Sequence, residues 1–316
     1  MRELYGGGPQ GSGLGIWSYL SQTNNDHQGV ADENVFKFVD DKTCLEIINL
    51  LSVGIASHNF RATISSEIPQ SNLFIPSQNL ETQQYMKNIN DWTETKQMKL
   101  NEKKTKNMIF NFTHDNQFST DIKLKGETIE TVRETKLLGV YINDKLNWND
   151  NTRNIVRESN KRMRLLHRAR QFTRNIKHLK QIYMLQVRSK LEQSAVLWHS
   201  GITRKDCQEL ERIQKSAMKV IFGNGYKDYQ DALDKIGLDT LEKRRDGLCL
   251  DFAKGCLKIE KLKKIFPLNN KKENKETRNK EKYVVNIART ERYKKSAIPF
   301  MQRLLNNDVC EKKKII

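Results

Sequence analysis

An α+β fold is predicted, with a first half that mixes short strands and helices and a second half that is helical. Three observations predict it. Bulky apolar residues alternate in short runs through the first 150 residues, apolar residues recur at three- and four-residue steps later, and strand signals vanish after about Asn151.

Residues 1–15 are glycine-rich (Gly6-Gly7-Gly8-Pro9-Gln10-Gly11-Ser12-Gly13, then Gly15), a loop whose glycines permit backbone conformations closed to other residues. Two β-type runs follow, Asn34–Val39 and Thr43–Ile48, flanking Asp40 and Asp41. A tight hairpin is expected there, with both carboxylates at its tip. Residues 61–82 carry Pro69 and Pro76 among Ser, Asn and Gln, and should form an irregular surface excursion. Tyr85, Ile89 and Trp92 share a helical stripe. Asn107–Phe110, Ile122–Leu124 and Leu137–Ile142 read as short strands, with Lys125-Gly126 as a hairpin turn.

Helical spacing then takes over. Leu179, Ile182, Tyr183, Val187 and Leu191 form one face, and Leu210, Ile213, Ala217, Val220 and Ile221 another. The second lies between a cap at Thr203, with Asp206 three residues later, and a terminator at Gly223. Leu241, Leu248, Phe252 and Cys256 make a third face behind a cap at Asp239 or Thr240. Residues 269–282 hold no apolar side chain and should be a disordered Lys-rich linker. Apolar residues return at Tyr283-Val284-Val285, Ile287, Ile298-Pro299-Phe300 and Leu304-Leu305, a short tail that could dock back. The expected domains are therefore 1–150, 151–268, the linker 269–282 and the tail 283–316.

Composition narrows the partner. Of 316 residues 37% are hydrophobic and 30% charged, with a net charge of +18. A pI near 9.6 points to a polyanion, either nucleic acid or an anionic membrane. The longest apolar stretch, Leu45–Ala56, is broken by Glu46 and Asn49 and is too short to span a bilayer. Met1-Arg2-Glu3-Leu4 leads into glycines, so no signal peptide is visible and an intracellular location is expected, nucleus or cytoplasm left open. The five cysteines form no Cys-x-x-Cys pair, which speaks against zinc and for a reducing compartment. Cys249 and Cys256, seven apart, fit one buried helical face.

Charge distribution decides between polyanions. Arg153, Arg157, Lys161, Arg162, Arg164, Arg168, Arg170, Arg174, Lys177 and Lys180 are opposed only by Glu158. Arg157, Lys161, Arg164 and Arg168 share a helical face, a stripe suited to tracking phosphates without reading sequence. A solvated charged face is the plainer alternative. A membrane-surface helix fits less well, since the opposite face (Ile155, Met163, Leu166) is modest and lacks Trp.

Asp40 and Asp41 allow two readings as well. Asp is favoured in turns for local hydrogen bonding. Yet two adjacent carboxylates repel, and both stay ionised most easily with a cation between them.

Three motifs occur in one order: the loop with Pro9-Gln10-Gly11, the Asp40-Asp41 hairpin, and Lys99-Leu100-Asn101-Glu102-Lys103-Lys104-Thr105. The ordered set resembles the palm of reverse transcriptases, most closely those of non-LTR (LINE-like) retrotransposons. Lys136–Asn143 and Leu146-Asn147-Trp148 look like that family's primer-contacting region, and Leu210–Lys215 and Ile236–Arg245 like its post-palm helices. The resemblance runs from about Gly6 to Leu257, with an echo near Ile298–Leu305.

It implies a partial reverse-transcriptase palm followed by a helical thumb. It also implies RNA-directed DNA polymerase chemistry, nucleotidyl transfer to a primer 3′-hydroxyl with two Mg²⁺ about 3.5–4 Å apart. Asp40 would be the stronger metal ligand and Asp41 the auxiliary one. Val39 stands where the family commonly has Ala. Gly8, Pro9, Gln10 and Gly11 would lie against template and nucleotide, Lys104 would serve the leaving pyrophosphate, and Leu138, Gly139 and Val140 would hold primer backbone. Lys104 as a solvated lysine and Leu138–Val140 as an ordinary core strand stay open. The implied partners are an RNA template and a DNA primer, with no membrane and no small-molecule cofactor.

The family also needs an Asp on an earlier strand and a finger subdomain, upstream of a loop that only Met1–Tyr5 precede here. The expectation is thus a remnant truncated at its N-terminus, with weak or absent metal binding and no turnover alone. An upstream segment encoding that strand would restore an enzyme. The alternative is a non-catalytic nucleic-acid-binding protein that uses the basic helical domain.

Overall fold

The computed structural model describes residues 35–38, 41–44, 73–75, 81–95, 100–111, 118–268, 282–285 and 287–315. The described residues are mostly helical with small strand pairs, an α+β composition. The chain divides into two compact units, residues 1–135 and 136–316.

In the first unit, β1 (Val35–Phe38) and β2 (Asp41–Cys44) pair antiparallel, with Phe38 opposite Asp41. Asp41 therefore opens the second strand of the hairpin, while Val39 and Asp40 lie outside the described residues. The stretch read as irregular contains a strand: β3 (Leu73–Ile75) pairs in parallel with β4 (Phe118–Thr120). Three apolar residues between Asn72 and Pro76 are too few for alternation to register.

Helix α1 (Glu81–Thr95) buries Tyr85 and Ile89 as their spacing predicts, beside Ile122 and Leu124. Gln83 locks the contact, since its side-chain amide donates to the Lys123 carbonyl at 3.0 Å and accepts from the Lys123 amide at 2.8 Å. β5 (Lys123–Leu124) and β6 (Glu127–Thr128) form the expected hairpin. Lys125 and Gly126 turn it with φ of 52° and 88°, the positive pair a type I′ turn requires. Asn107–Phe110 is not the strand its composition suggests. Asn107 alone bridges to Thr131, and its side-chain amide donates to Thr120 and Thr131 hydroxyls.

The second unit opens in β7 (Glu134–Leu137), whose hairpin partner is β8 (Val140–Asn143). The expected boundary near residue 150 thus moves to Thr135, because β8 is tied to the first long helix, α2 (Asn149–Phe172). Asn143 donates to Asp150 at 2.7 Å and to Asn147 at 2.8 Å, and the Tyr141 amide donates to Asn151 at 3.2 Å. A strand held to a helix start by two side-chain bonds, with Asn147 of the connecting turn adding a third, belongs with that helix.

One core fills this unit. Ile155, Met163 and Leu166 of α2 meet Leu179 of α3 (Ile176–Ile182) and Leu210, Ile213, Ala217 and Ile221 of α6 (Arg204–Phe222). Between them run a π-helical stretch, Tyr183–Arg188, and the short helices α4 (Ser189–Leu191) and α5 (Ala195–Trp198). The π turn has a sequence cause. Leu179, Tyr183, Val187 and Leu191 sit at strict four-residue steps and all are buried. In an α-helix such a row drifts around the axis, and a wider turn brings it back to one face.

The Thr203–Asp206 pair forms a reciprocal capping box at the start of α6, and Gly223 ends that helix at φ 54°. Helix α7 (Tyr229–Ile236) follows, stopped by Gly237 in the left-handed region. Thr240, not Asp239, caps α8 (Leu241–Cys256). Its buried face is Leu241, Arg245, Cys249, Ala253 and Cys256, so Phe252, read as core, is half exposed.

A second cluster joins Cys249, Ala253 and Cys256 to Phe266, Met301 and Leu305. After the short helices α9 (Glu260–Lys263) and α10 (Glu291–Lys294), the tail docks on α8 as a 19-residue helix, α11 (Ala297–Ile315). Residues 269–281 of the expected linker lie outside the described residues.

Candidate nucleic-acid interface

Helix α2 sorts its residues by burial. Ile155, Ser159, Met163 and Leu166 face the core, while Arg153, Arg157, Lys161, Arg164 and Arg168 are exposed on the other side. Twenty-four residues make a rod about 36 Å long, and Arg157 to Arg168 span about 16 Å of it. Arg157 and Lys161 share Glu158, at 3.4 and 2.8 Å, and Arg153 pairs with Asp150 at 3.1 Å. Arg164 and Arg168 have no acidic partner among the described residues. From Ser159 to Leu191 the chain contains no Asp or Glu at all.

Three of the ten basic residues named from sequence are committed elsewhere. Arg162 donates to the Gln186 carbonyl at 3.0 Å, Arg170 to the Arg174 carbonyl at 3.5 Å, and Lys180 to the Ile236 carbonyl at 2.6 Å. The last satisfies an orphan carbonyl at the end of α7. These side chains hold helices together, and the free stripe is correspondingly narrower than the count suggests.

Leu138 and Gly139, expected within a strand, form the two-residue turn between β7 and β8, with φ of 47° and 86°. Apolar Leu138 hid the turn, since nothing about its side chain favours positive φ. Leu138 is exposed and Val140 buried, so only the turn itself is open to a partner. A Cβ on Gly139 would sit 2.9 Å from Gln193 Nε2. Gln193 in turn accepts from Lys190 Nζ at 2.6 Å. Burial, then the like charges of Arg162 and Lys136, lower the Lys190 pKa below the usual lysine range. Lys136, Arg162 and Lys190, with Glu158 offsetting part of their charge at Lys190, form a second cationic focus beside this turn.

Lys104 ends a 3₁₀ turn, Glu102–Lys104, capped by Asn101, and is exposed. Gly8, Pro9, Gln10, Gly11 and Asp40 lie outside the described residues, and of Asp41 the strand position alone is described. Among the described residues no group of three or more His, Cys, Asp or Glu could hold a metal ion. No described helix is long and apolar enough to cross a membrane. The buried apolar face of α2 packs against α6.

Behind the stripe lies a polar network that sequence reading missed. Tyr183 donates to Gln214 at 2.6 Å, and Gln214 donates to Tyr229 at 2.8 Å and to the Asp239 carbonyl at 3.0 Å. Tyr229 donates to Glu211, whose carboxylate also accepts the Leu241 amide at the start of α8. Burial raises the Tyr183 and Tyr229 pKa values above the usual range, helped at Tyr229 by Glu211. Burial, with Asp246 adding to it, pushes the Cys249 thiol up to about 12.

All three groups are neutral at pH 7 and titrate later folded than unfolded. Their contribution is full below the unfolded values, about 8.5 for Cys and about 10 for Tyr, and is lost as pH rises through the folded ones. Thermal melts should therefore fall progressively above about pH 9. A melting temperature constant from pH 8 to pH 11 contradicts this account of the core.

Comparison with protein-family models, curated proteins and solved structures found no match to this chain.

Proposed function

We propose that residues 136–316 bind the sugar–phosphate backbone of nucleic acid without reading its sequence. The observation that carries this reading is the exposed stripe Arg157, Lys161, Arg164 and Arg168, opposed by Glu158 alone at its first two members, while Arg164 and Arg168 have no acidic partner among the described residues and Ser159–Leu191 contains no acid. A solvated face normally interleaves both signs, because like charges at three- and four-residue steps repel. Four cations kept in a row are relieved by phosphates. The Lys136, Arg162 and Lys190 focus beside the Leu138–Gly139 turn supports the same partner.

The finer reading joins this surface to the first unit as a partial palm and thumb of a reverse transcriptase of non-LTR type, holding an RNA template paired with a DNA primer. Its support is the motif order and a β1–β2 hairpin at the Asp40-Asp41 motif. Two carboxylates supply the hard oxygen donors that Mg²⁺ prefers. Asp40 and Asp41 would hold the ion, which when bound stabilises the attacking and leaving oxygens. The polymerase reading predicts weak Mg²⁺ binding, on the order of millimolar, abolished by Asp40→Asn. Equal binding by parent and variant removes the polymerase part and leaves a non-catalytic nucleic-acid-binding protein.

The binding reading is tested by titrating an RNA–DNA duplex against the protein between 50 and 200 mM salt. Four phosphate contacts give a log–log slope of about −3 to −4. No binding at the low-salt end contradicts the proposal.

A further inference from the structure

Phe172 is the last residue of α2 and is 89% exposed, although burying such a side chain is worth about 2–3 kcal/mol. Single exposed apolar residues are common, so exposure alone assigns nothing. Position does. Arg157, Lys161, Arg164 and Arg168 step along one face by four, three and four residues, and the next step of four is Phe172. The aromatic ring thus terminates the cationic stripe, about 6 Å beyond Arg168 along the axis. Arg174, Lys177 and His178 lie exposed just past it, and half-exposed Ile176 stands four residues on.

Resting on the backbone-binding reading above, we propose that Phe172 is a stacking platform for an unpaired base of a single strand whose phosphates run along α2. The stretch of about 16 Å from Arg157 to Arg168 is long enough to run beside several phosphates of one strand. The base then meets the ring where the stripe stops. Any base has a π-face, so the contact adds affinity for single-stranded ends without sequence preference. Leu165, seven residues before Phe172 on the same face, and Ile176 are also partly exposed, so a lipid surface is the competing partner that the test separates.

The full chain is titrated with a 12-nucleotide deoxythymidine strand and with an abasic strand of equal length and charge. The parent is expected to bind the base-bearing strand about tenfold more tightly, and Phe172→Ala to bind both equally with the parent's salt slope. Phe172→Trp restores the preference, and its emission is quenched by the base-bearing strand alone. Phe172 makes no core contact that folding needs, and superposable circular dichroism spectra verify that.

Salt-dependent binding that ignores both the bases and Phe172 overturns stacking while sparing the backbone reading. Failure to bind either strand overturns stacking, and failure also to bind the RNA–DNA duplex at 50 mM salt overturns the backbone reading. Phe172-dependent capture of vesicles containing phosphatidylserine, without preference for bases, replaces the nucleic acid by a lipid surface and also overturns the proposal.

Discussion

Arg245→Ala is expected to destabilise the second unit by about 3–5 kcal/mol, a drop of about 10 °C in melting temperature for a unit of this size. Arg245 is fully buried in the second turn of α8. Its Nε donates to His199 Nδ1 at 3.0 Å, its Nη2 to Cys207 Sγ at 3.4 Å, and its guanidinium lies 5.7 Å from the Trp198 ring centre. Because guanidinium can only donate, the His199 proton sits on Nε2, where Asp246 accepts it at 2.9 Å.

Removing Arg245 strips His199 and Cys207 of a partner and leaves a cavity against Trp198. Arg245→Met keeps most of the volume and removes a charge whose Nη1 has no partner among the described residues. It should therefore cost clearly less than Ala. Urea denaturation of the three proteins orders them parent, Met, Ala. An Ala variant as stable as the parent means that α8 is not held by this residue.

The second large effect belongs to the surface. Replacing Arg157, Lys161, Arg164 and Arg168 together by Gln should lower affinity for an RNA–DNA duplex at 50 mM salt by at least about a hundredfold, and flatten the salt slope by about three. The fold should survive, since all four side chains point to solvent and Gln is a good helix former. Lys243→Gln and Lys235→Gln, on α8 and α7, are exposed and paired with Asp239 and Asp231. They should leave duplex binding nearly unchanged. Equal losses per charge removed from both sets indicate a response to net charge of +18 rather than to a defined face.

Much of this architecture is legible in the sequence because its signals are local. The Thr203–Asp206 capping box, the Gly223 stop and the Lys125-Gly126 turn each depend on residues within a few positions, and each forms. The α2 face with Ile155, Met163 and Leu166 follows from spacing alone. What escaped depends on partners distant in sequence. β3 exists because β4, more than 40 residues on, pairs with it. Arg245 reads as a surface residue until His199 and Cys207 surround it, and Phe252 reads as core although the fold leaves it half exposed.

At the candidate interface the stripe was visible as a pattern. The withdrawal of Arg162 and Lys180 into carbonyl contacts was not, because those carbonyls lie 24 and 56 residues away in the chain, while Arg170 turns back to the nearby Arg174 carbonyl. Phe172 was overlooked for a different reason. A lone aromatic at helical spacing from arginines looks like any core residue until its exposure is known.

The claim that a nucleic-acid backbone lies along α2 is tested most directly by lysine acetylation with mass-spectrometric readout, with and without bound RNA–DNA duplex. Lys161 and Lys243 are matched, each exposed and each paired with a carboxylate on its own helix or at its start, at 2.8 Å. Duplex should slow acetylation of Lys161 several-fold and leave Lys243 unchanged. Lys161 reacting at the same rate while the duplex is demonstrably bound contradicts the account.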